Sequence, residues 1–358
     1  MAHLFIPGPT DVAPEILAAQ THRMIGHRSR ACSELLARIQ PRLQRVFQTE
    51  RRVFITASSG SGLQEAALRN TVRQRALVCV GGAFAERWYD VALANGHVAD
   101  RLDVTWGTPH DPQQVAEAVA RRAYDAVAVV HNETSTGVEN PVAAIAAAVR
   151  AVSPETLILV DAVSSAGGVD LRTDEWGLDV VLTSSQKCFA LPPGLAFAAV
   201  SDRVLERART IEHRGWYFDF LLLERYRLQN NTPATPAISL LYALDAQLDR
   251  ILAEGLPARF ARHARMAEIT QRWALERFDL LAPQGARSRT VTAVLNTRRL
   301  DVAALNAHLA SLDMAIAGGY GSLRETTFRI GHMGEIQPAD VEQLLAAIDD
   351  HLASLDRS

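Results

Sequence analysis

Residues 181–194 read VLTSSQKCFALPPG: an apolar run, a polar turn and then a stiff Pro-Pro-Gly exit. The turn presents Lys187, the only lysine among 37 basic residues, so every other basic residue is an arginine. Such a bias most simply reflects genome composition, and one surface lysine can survive it by chance. The alternative is a chemical need for a primary amine, which arginine cannot meet because its guanidinium stays protonated.

The apolar run before Lys187 belongs to a series of predicted strands. Between about residues 50 and 200, short β-branched runs alternate with helical patterns, which is typical of a mostly parallel sheet covered by helices. The predicted strands span residues 51–57, 76–80, 125–130, 156–161, 179–184 and 196–201. The helices predicted between them include residues 63–73, 111–122 and 141–152. Catalytic groups of such sheets gather at the carboxyl ends of the strands, which is where Lys187 falls.

The pattern changes after Pro236. Two long helices are predicted up to about residue 278, and they lead into a smaller α/β unit. The strands of that unit are predicted at residues 291–296 and 326–331. Its helices are predicted at residues 301–312 and from Pro338 onward. The predicted fold class is therefore α/β, with a large domain on a mostly parallel sheet and a small C-terminal domain.

Composition excludes several classes of protein. The chain has 358 residues, 48% hydrophobic and 22% charged, with a net charge of -3. These values are ordinary for a globular protein with a sizeable core. No apolar stretch is long and unbroken enough to span a bilayer. The start MAHLFIPGPT has no signal-peptide pattern. The arginines are scattered among acids, so we expect neither a membrane nor a nucleic-acid partner.

The cysteines indicate the compartment. Cys32, Cys79 and Cys188 are odd in number and widely spaced. They fit neither a disulfide framework nor a CxxC metal-ligand pattern. We therefore expect a reducing, cytoplasmic location and no bound metal.

Lys187 lies just past a buried strand, and this position favours a neutral, nucleophilic amine. Other segments of the sequence contain residues suited to binding a cofactor beside it. Asp161 ends the predicted strand LILVD, where a carboxylate can keep the pyridine nitrogen of pyridoxal phosphate protonated; a turn cap is the alternative. The Ser/Gly turn at residues 58–62 precedes a predicted helix, where backbone N–H groups can bind phosphate. It lacks the lysine of a nucleotide P-loop. Phe84 follows another strand and can stack on a flat cofactor or fill the core.

Eight motifs along the chain resemble, in the same order, those of the class V aminotransferases, which are pyridoxal-phosphate enzymes of fold type I. The finer resemblance is to the alanine-glyoxylate and serine-pyruvate aminotransferase group. The motifs are PGPT (7–10), MIGHRS (24–29), SGSG (59–62), GAFAERW (82–88), HNETSTGV (131–138), VDAVSS (160–165), SSQKCFALPPG (184–194) and FRIGHMG (328–334).

The resemblance implies a pyridoxal 5'-phosphate cofactor and a homodimer whose active sites are shared between subunits. It also implies three parts of the chain: an N-terminal segment (1–20), a large cofactor-binding domain (21–255) and a small C-terminal domain with a linking helix (256–358).

Roles at the cofactor follow from the same resemblance. Lys187 would bond to the cofactor and carry a proton during the reaction, and Asp161 would pair with the pyridine nitrogen. One of the two threonines, Thr232 or Thr235, would reach the phosphate of the partner subunit. The other cofactor contacts would come from Ser59, Gly60, Ser61, Phe84, Thr134, Val163 and Gln186. Family members often carry a larger aromatic where this chain has Phe84 and a serine where it has Thr134.

On the substrate side, the resemblance implies that Arg329 binds the α-carboxylate, which its planar fork of N–H donors matches bidentately. Gly26 and His27 resemble a loop that closes over the substrate. His27 is either a hydrogen-bonding residue of that loop or a direct substrate contact.

The implied reaction is a ping-pong transfer of an amino group from a small amino acid, alanine or serine, to a 2-oxo acid, glyoxylate or pyruvate. Transamination of 2-aminoethylphosphonate or ureidoglycine is the alternative. A lyase or desulfurase is disfavoured because no cysteine follows Cys188 and Gln186, not a histidine, precedes the lysine. A non-catalytic cofactor-binding protein is disfavoured because Lys187, Asp161 and Arg329 are all present.

Overall fold

The computed structural model describes residues 3–355 as two large sheets flanked by helices, with one further sheet of only two short strands. The strands are β1 (His3–Phe5), β2 (Arg52–Thr56), β3 (Ala76–Val80), β4 (Ala99–Asp103), β5 (Ala126–Val130), β6 (Asn132–Glu133), β7 (Val138–Glu139), β8 (Leu157–Asp161), β9 (Val180–Ser184), β10 (Ala196–Val200), β11 (Asp279–Leu280), β12 (Val291–Leu295), β13 (Met314–Gly318) and β14 (Thr327–Gly331). The helices are α1 (Pro14–Ala19), α2 (Arg30–Val46), α3 (Gly60–Thr71), α4 (Ala83–Ala94), α5 (Pro112–Arg121), α6 (Val142–Val152), α7 (Asp202–Arg209), α8 (Phe220–Arg227), α9 (Ile238–Glu254), α10 (Leu256–Arg277), α11 (Val302–Ala310) and α12 (Pro338–Leu355).

The larger sheet has the strand order β2-β10-β9-β8-β5-β3-β4. All neighbours run parallel except β10, which is antiparallel to β2 and to β9. Every residue of β3, β5, β8, β9 and β10 is buried. This explains why these strands appear in the sequence as continuous apolar runs, since both of their faces are covered. The predicted α/β class with a mostly parallel sheet is confirmed.

The predicted strands agree with the structure to within one residue at each end. The predicted helices also form, but α3 begins at Gly60, three residues before the predicted start. Residues 60–62 therefore belong to the first turn of the helix rather than to a turn before it. Four elements of this region are not among the predictions: β4, α4 and the two-residue strands β6 and β7. Strand β4 lies at the sheet edge and keeps its polar residues partly exposed, so it lacks an apolar run.

Helices cover both faces of the large sheet. One apolar core contains side chains of α2, α5, α6 and α9, and the other contains side chains of α3, α4, α7 and α8. Alternate residues of each strand point into the two cores, as the pleat requires. This three-layer arrangement leaves the carboxyl ends of the parallel strands as the open edge where side chains converge.

The smaller sheet has the order β1-β13-β14-β12-β11 and packs against α10, α11 and α12. Strand β1 comes from the start of the chain and runs parallel to β13, with Leu4 opposite Ala315. This pairing leads the segment after β1 back to the open edge of the large sheet. Among residues 3–355, no helix is both long and apolar enough to cross a membrane.

Candidate active site

A cavity of about 380 Å³ opens at the carboxyl ends of β5, β8 and β9. Most of the predicted cofactor residues line it: Ser59, Gly60, Ser61, Phe84, Thr134, Asp161, Val163, Gln186 and Lys187. The sequence-distant Gly8 and Tyr320 line it as well. Residues from six separate motifs therefore meet at the sheet edge that the strand pattern indicated.

Lys187 follows β9 and directs its amine into this cavity. Burial, together with the nearby positive charge of Arg329, lowers the pKa of Lys187 to about 8. The Nζ atom donates a hydrogen bond to the carbonyl of Pro7. A Cβ on Gly8 would lie 2.6 Å from the Cδ atom of Lys187, so a larger residue there would require the lysine side chain to shift. A lowered pKa increases the fraction of neutral, nucleophilic amine near neutral pH.

Asp161 ends β8 and is buried next to the cavity. Its Oδ1 accepts from the backbone N–H of Val163 at 2.8 Å, and its Oδ2 accepts from Nε2 of Gln64 at 2.6 Å. Burial raises the pKa of Asp161 to about 6, although both hydrogen bonds act in the opposite direction. Gln64 carries no signal in the sequence: its role depends on α3 packing over β8.

The amino-terminal end of α3 faces the same cavity. Ser59 is the N-cap residue but makes no capping hydrogen bond with its side chain, so N–H groups of the first turn remain available. A Cβ on Gly60 would lie 2.5 Å from a methyl carbon of Val163, which explains the glycine at this close approach. Gln186 lines the cavity next to Lys187. Such a helix end is suited to an anionic group.

The cavity also contains polar atoms that lack partners. Ser184 Oγ and Asn132 Oδ1 are buried without a hydrogen bond to any of residues 3–355, and both residues line the cavity. Buried polar atoms of this kind are normally satisfied, so each indicates a missing partner. A flat, phosphorylated pyridine fits this environment: a helix amino terminus for the phosphate, a carboxylate for the ring nitrogen and an amine for the aldehyde.

Phe84 lies at the start of α4 and forms one wall. Its ring stacks on that of Tyr320, with centroids 5.4 Å apart and an interplanar angle of 16°. The amino terminus of α4 is held by the buried carboxylate of Glu133, which accepts from the backbone N–H of Ala85 at 3.0 Å. Burial raises the pKa of Glu133. Neither Glu133 nor Tyr320 is among the predicted site residues, although HNETSTGV contains the former.

Arg329 projects from β14 and is 7% exposed. Its Nε donates to the carbonyl of Gly318 at 3.0 Å, and its Nη1 approaches the carbonyl of Thr134 at 3.4 Å. Its guanidinium carbon lies 5.3 Å from the ring centroid of Tyr320. Thr134 itself bonds through its hydroxyl to Ser164 at 2.6 Å. The predicted carboxylate-binding arginine is thus held against residues that line the cavity.

Four predicted residues lie away from this cavity within the chain. Gly26 and His27 precede α2, and Thr232 and Thr235 line a separate surface depression beside Trp216. The two segments are joined by Arg28, which donates from Nη2 to the carbonyl of Pro233 at 3.1 Å and also bonds to Asn231 and Thr232. The structure therefore places the two predicted loops together, but not at the cavity of their own chain.

Comparisons with known proteins agree with this architecture. The sequence profile of the family described as "Aminotransferase class-V" matches residues 15–344. The L-aspartate–glyoxylate aminotransferase of Paracoccus denitrificans is 34% identical over 98% of this chain and 91% of its own. The serine–glyoxylate aminotransferase of Arabidopsis thaliana is 32% identical over 97% and 89% of the two chains. A crystal structure of alanine–glyoxylate aminotransferase from Nostoc sp. is 30% identical, with a TM-score of 0.92 over 98% and 95% of the two chains.

Proposed function

Because this chain belongs to the class V aminotransferases, we propose that it transfers an amino group from a small amino acid such as alanine or serine to glyoxylate or pyruvate. The proposed cofactor is pyridoxal 5'-phosphate. The observation that carries the proposal is the meeting of Lys187, Asp161 and the end of α3 at one cavity, with Arg329 against its wall. The similar proteins named for glyoxylate as a substrate support the choice of acceptor.

Each group of residues has a task in this proposal. Ser59, Gly60 and Ser61, with Gln186, would hold the phosphate, because the first turn of α3 offers N–H groups there. Phe84 and Val163 would contact the ring, and Thr134 its hydroxyl region. Asp161 would keep the ring nitrogen protonated. When bound, pyridoxal phosphate supplies an electron sink that stabilises negative charge at the substrate α-carbon.

The reacting proton is assigned to Lys187. Its Nζ would accept the proton from the substrate α-carbon and would then donate it to the cofactor carbon, and its lowered pKa leaves much of the amine neutral near pH 8. Arg329 would bind the substrate α-carboxylate through its guanidinium and so fix the α-carbon near that amine. The same groups would serve both halves of a ping-pong reaction.

The proposal includes a homodimer with shared sites. The segments that contain Gly26, His27, Thr232 and Thr235 lie together, and exposed apolar side chains accompany them: Met24 is 64% and Trp216 60% exposed. Exposed apolar surface of this kind marks interaction sites. We propose that these segments reach the cavity of a second copy. We also propose the division of the chain into an N-terminal segment (1–20), a large domain (21–255) and a small domain (256–358). The proposed location is the cytoplasm.

A half-reaction screen tests the function. Cofactor-loaded protein is mixed with one amino compound at a time, and the cofactor absorbance and the released oxo acid are measured. We expect alanine or serine to react, and glyoxylate or pyruvate to reverse the change. Including 2-aminoethylphosphonate and ureidoglycine distinguishes the alternative donors. If no compound reacts while the cofactor stays bound, transamination is wrong.

Two further measurements test the cofactor and the dimer. Borohydride reduction followed by peptide mapping should place the cofactor on Lys187, the only lysine. Light scattering should give twice the 39.1 kDa chain mass, and Trp216→Arg should lower it toward one chain. A monomeric wild type with full activity would exclude shared sites.

A further inference from the structure

Two arginines lie against the same aromatic residue at the cavity. The guanidinium of Arg329 lies over the ring of Tyr320, with its carbon 5.3 Å from the centroid. Arg87, from α4, donates from Nη2 to the hydroxyl of Tyr320 at 2.9 Å. Both Arg87 and Tyr320 line the cavity. Two guanidinium groups therefore lie at one side of the proposed substrate site. Arg329 alone is enough to bind one α-carboxylate, so Arg87 is left without a role in that step.

The charge of Arg87 is not neutralised by the chain. Among residues 3–355 no carboxylate forms an ion pair with it, and its neighbour Glu86 is paired with Arg101 at 3.5 Å. The other contact of the guanidinium is the ring of Phe84, 5.0 Å from its carbon. An arginine that lines a cavity without a counter-charge attracts an anion, because the field inside a cleft is focused by its low-dielectric walls.

The position of Arg87 favours a carboxylate of the substrate over the phosphate of the cofactor. The phosphate-binding residues are those at the start of α3, whereas Arg87 contacts Phe84 and Tyr320. Tyr320 in turn belongs to the loop between β13 and β14, next to Arg329. Arg87 and Arg329 therefore belong to one cluster on the substrate side of the cavity.

We propose that Arg87 forms a second carboxylate subsite, which makes a four-carbon amino dicarboxylate such as aspartate a donor in addition to the small neutral amino acids. This inference rests on the proposed transamination. Arg329 would take the α-carboxylate and Arg87 the side-chain carboxylate. Tyr320 fixes the two guanidiniums relative to each other, since its ring contacts one and its hydroxyl accepts from the other. Tyr320 is therefore a positioning residue for the subsite.

The test compares donors rather than total activity. In half-reactions of the cofactor-loaded protein, the ratio of kcat/KM for aspartate to kcat/KM for alanine is measured for the wild type and Arg87→Met. Loss of a charge-assisted hydrogen bond should lower this ratio by about 10- to 100-fold. Arg87→Lys, which keeps the charge but loses the planar fork, should give an intermediate ratio. Arg121→Met, an exposed position on α5 paired only with Glu117 at 3.5 Å, is the matched control and should leave the ratio unchanged.

A binding measurement gives a readout that does not depend on turnover. Calorimetry of the cofactor-loaded protein should show tighter binding of succinate than of propionate, and Arg87→Met should remove most of that difference. Tyr320→Phe should weaken succinate binding less than Arg87→Met does, because it removes only the hydroxyl acceptor.

The outcomes separate this inference from the proposed function. If alanine or serine reacts but aspartate does not, the subsite is wrong and the transamination stands. Equal losses for aspartate and alanine in Arg87→Met would also overturn the subsite. If no amino acid reacts, the proposed function fails, and equal succinate and propionate affinities would then reject the subsite independently.

Discussion

The guanidinium of Arg259 donates from Nη2 to the backbone carbonyl of Cys188 at 2.7 Å, one residue beyond Lys187. The same side chain donates from Nε to the carbonyl of Gly167 at 2.9 Å and from Nη2 to that of Gly334 at 3.2 Å. A single residue of α10 therefore holds together the segment after Asp161, the turn that carries Lys187 and the segment after β14. This network explains how two sheets can place their catalytic groups at one cavity.

Arg259→Met should strongly destabilise the protein. Arg259 is 1% exposed, and its charge is paired with Glu254 at 2.7 Å and Glu335 at 3.1 Å. Its replacement removes the buried donor from three backbone carbonyls and takes one of two arginine partners from each carboxylate, so we expect the free energy of unfolding to fall by about 3–5 kcal/mol. Denaturant unfolding measures the change. The same substitution at Arg265, whose side chain is 54% exposed on the same helix, should have little effect. Similar losses for both variants would contradict a special role for Arg259.

Asp161→Asn should stabilise the cofactor-free protein above pH 6. Burial raises the pKa of Asp161 to about 6, above its ordinary value of 3.8, so the folded state binds the proton more tightly than the unfolded state. The free energy of unfolding of the wild type therefore falls as the pH rises from about 4 to 6, by roughly 3 kcal/mol from this group. Asparagine does not titrate, and its amide can donate to Gln64 Oε1, which has no hydrogen-bond partner among residues 3–355 of the wild type.

Unfolding of both proteins without cofactor, from pH 4 to pH 8, measures this difference. The free energy of unfolding of Asp161→Asn should exceed that of the wild type only slightly at pH 4 and by its full amount above pH 6. The affinity of Asp161→Asn for pyridoxal phosphate should be lower than that of the wild type. Asp350→Asn, at an exposed position of α12, controls for the general loss of one carboxylate. A stability difference that does not change with pH would show that Asp161 is not held at a raised pKa.

The sequence predicts that Asp161 and Lys187 lie at the same sheet edge, because Asp161 ends one buried apolar strand and Lys187 follows another, and β8 and β9 are neighbours in the sheet. The sequence does not predict that Gly8 and Tyr320 line the same cavity. Their positions depend on the pairing of β1 with β13 and of β13 with β14, contacts that join the two ends of the chain. No local pattern of residue types encodes such a pairing. Gln64 is not among the predicted residues for a related reason, since it lies on α3 and its partner Asp161 lies on β8.

The amine of Lys187 should react at an unusually low pH. Burial and the charge of Arg329 lower its pKa to about 8, so trace acetylation of cofactor-free protein should be half-maximal near pH 8. Peptide mapping separates this site from the chain's amino terminus. Arg329→Met should move the midpoint to higher pH, because it removes a positive charge that disfavours the ammonium form. Arg324→Met makes the same change at an exposed position and should leave the midpoint in place. A midpoint that stays or falls in Arg329→Met would contradict the assignment.

Gly8→Ala should disturb Lys187 beyond the cost of its backbone conformation. Gly8 has φ of +110°, and a Cβ there would lie 2.6 Å from Cδ and 2.8 Å from Nζ of Lys187. Gly96 has φ of +76°, and no atom of the described part of the chain would lie within 4 Å of a Cβ there, so Gly96→Ala carries the backbone cost alone, about 1–2 kcal/mol. We expect only Gly8→Ala to weaken pyridoxal phosphate binding and to change the acetylation midpoint of Lys187. Equal behaviour of the two variants would mean that the lysine adapts freely, whereas a selective loss shows that the segment after β1 holds the amine in place.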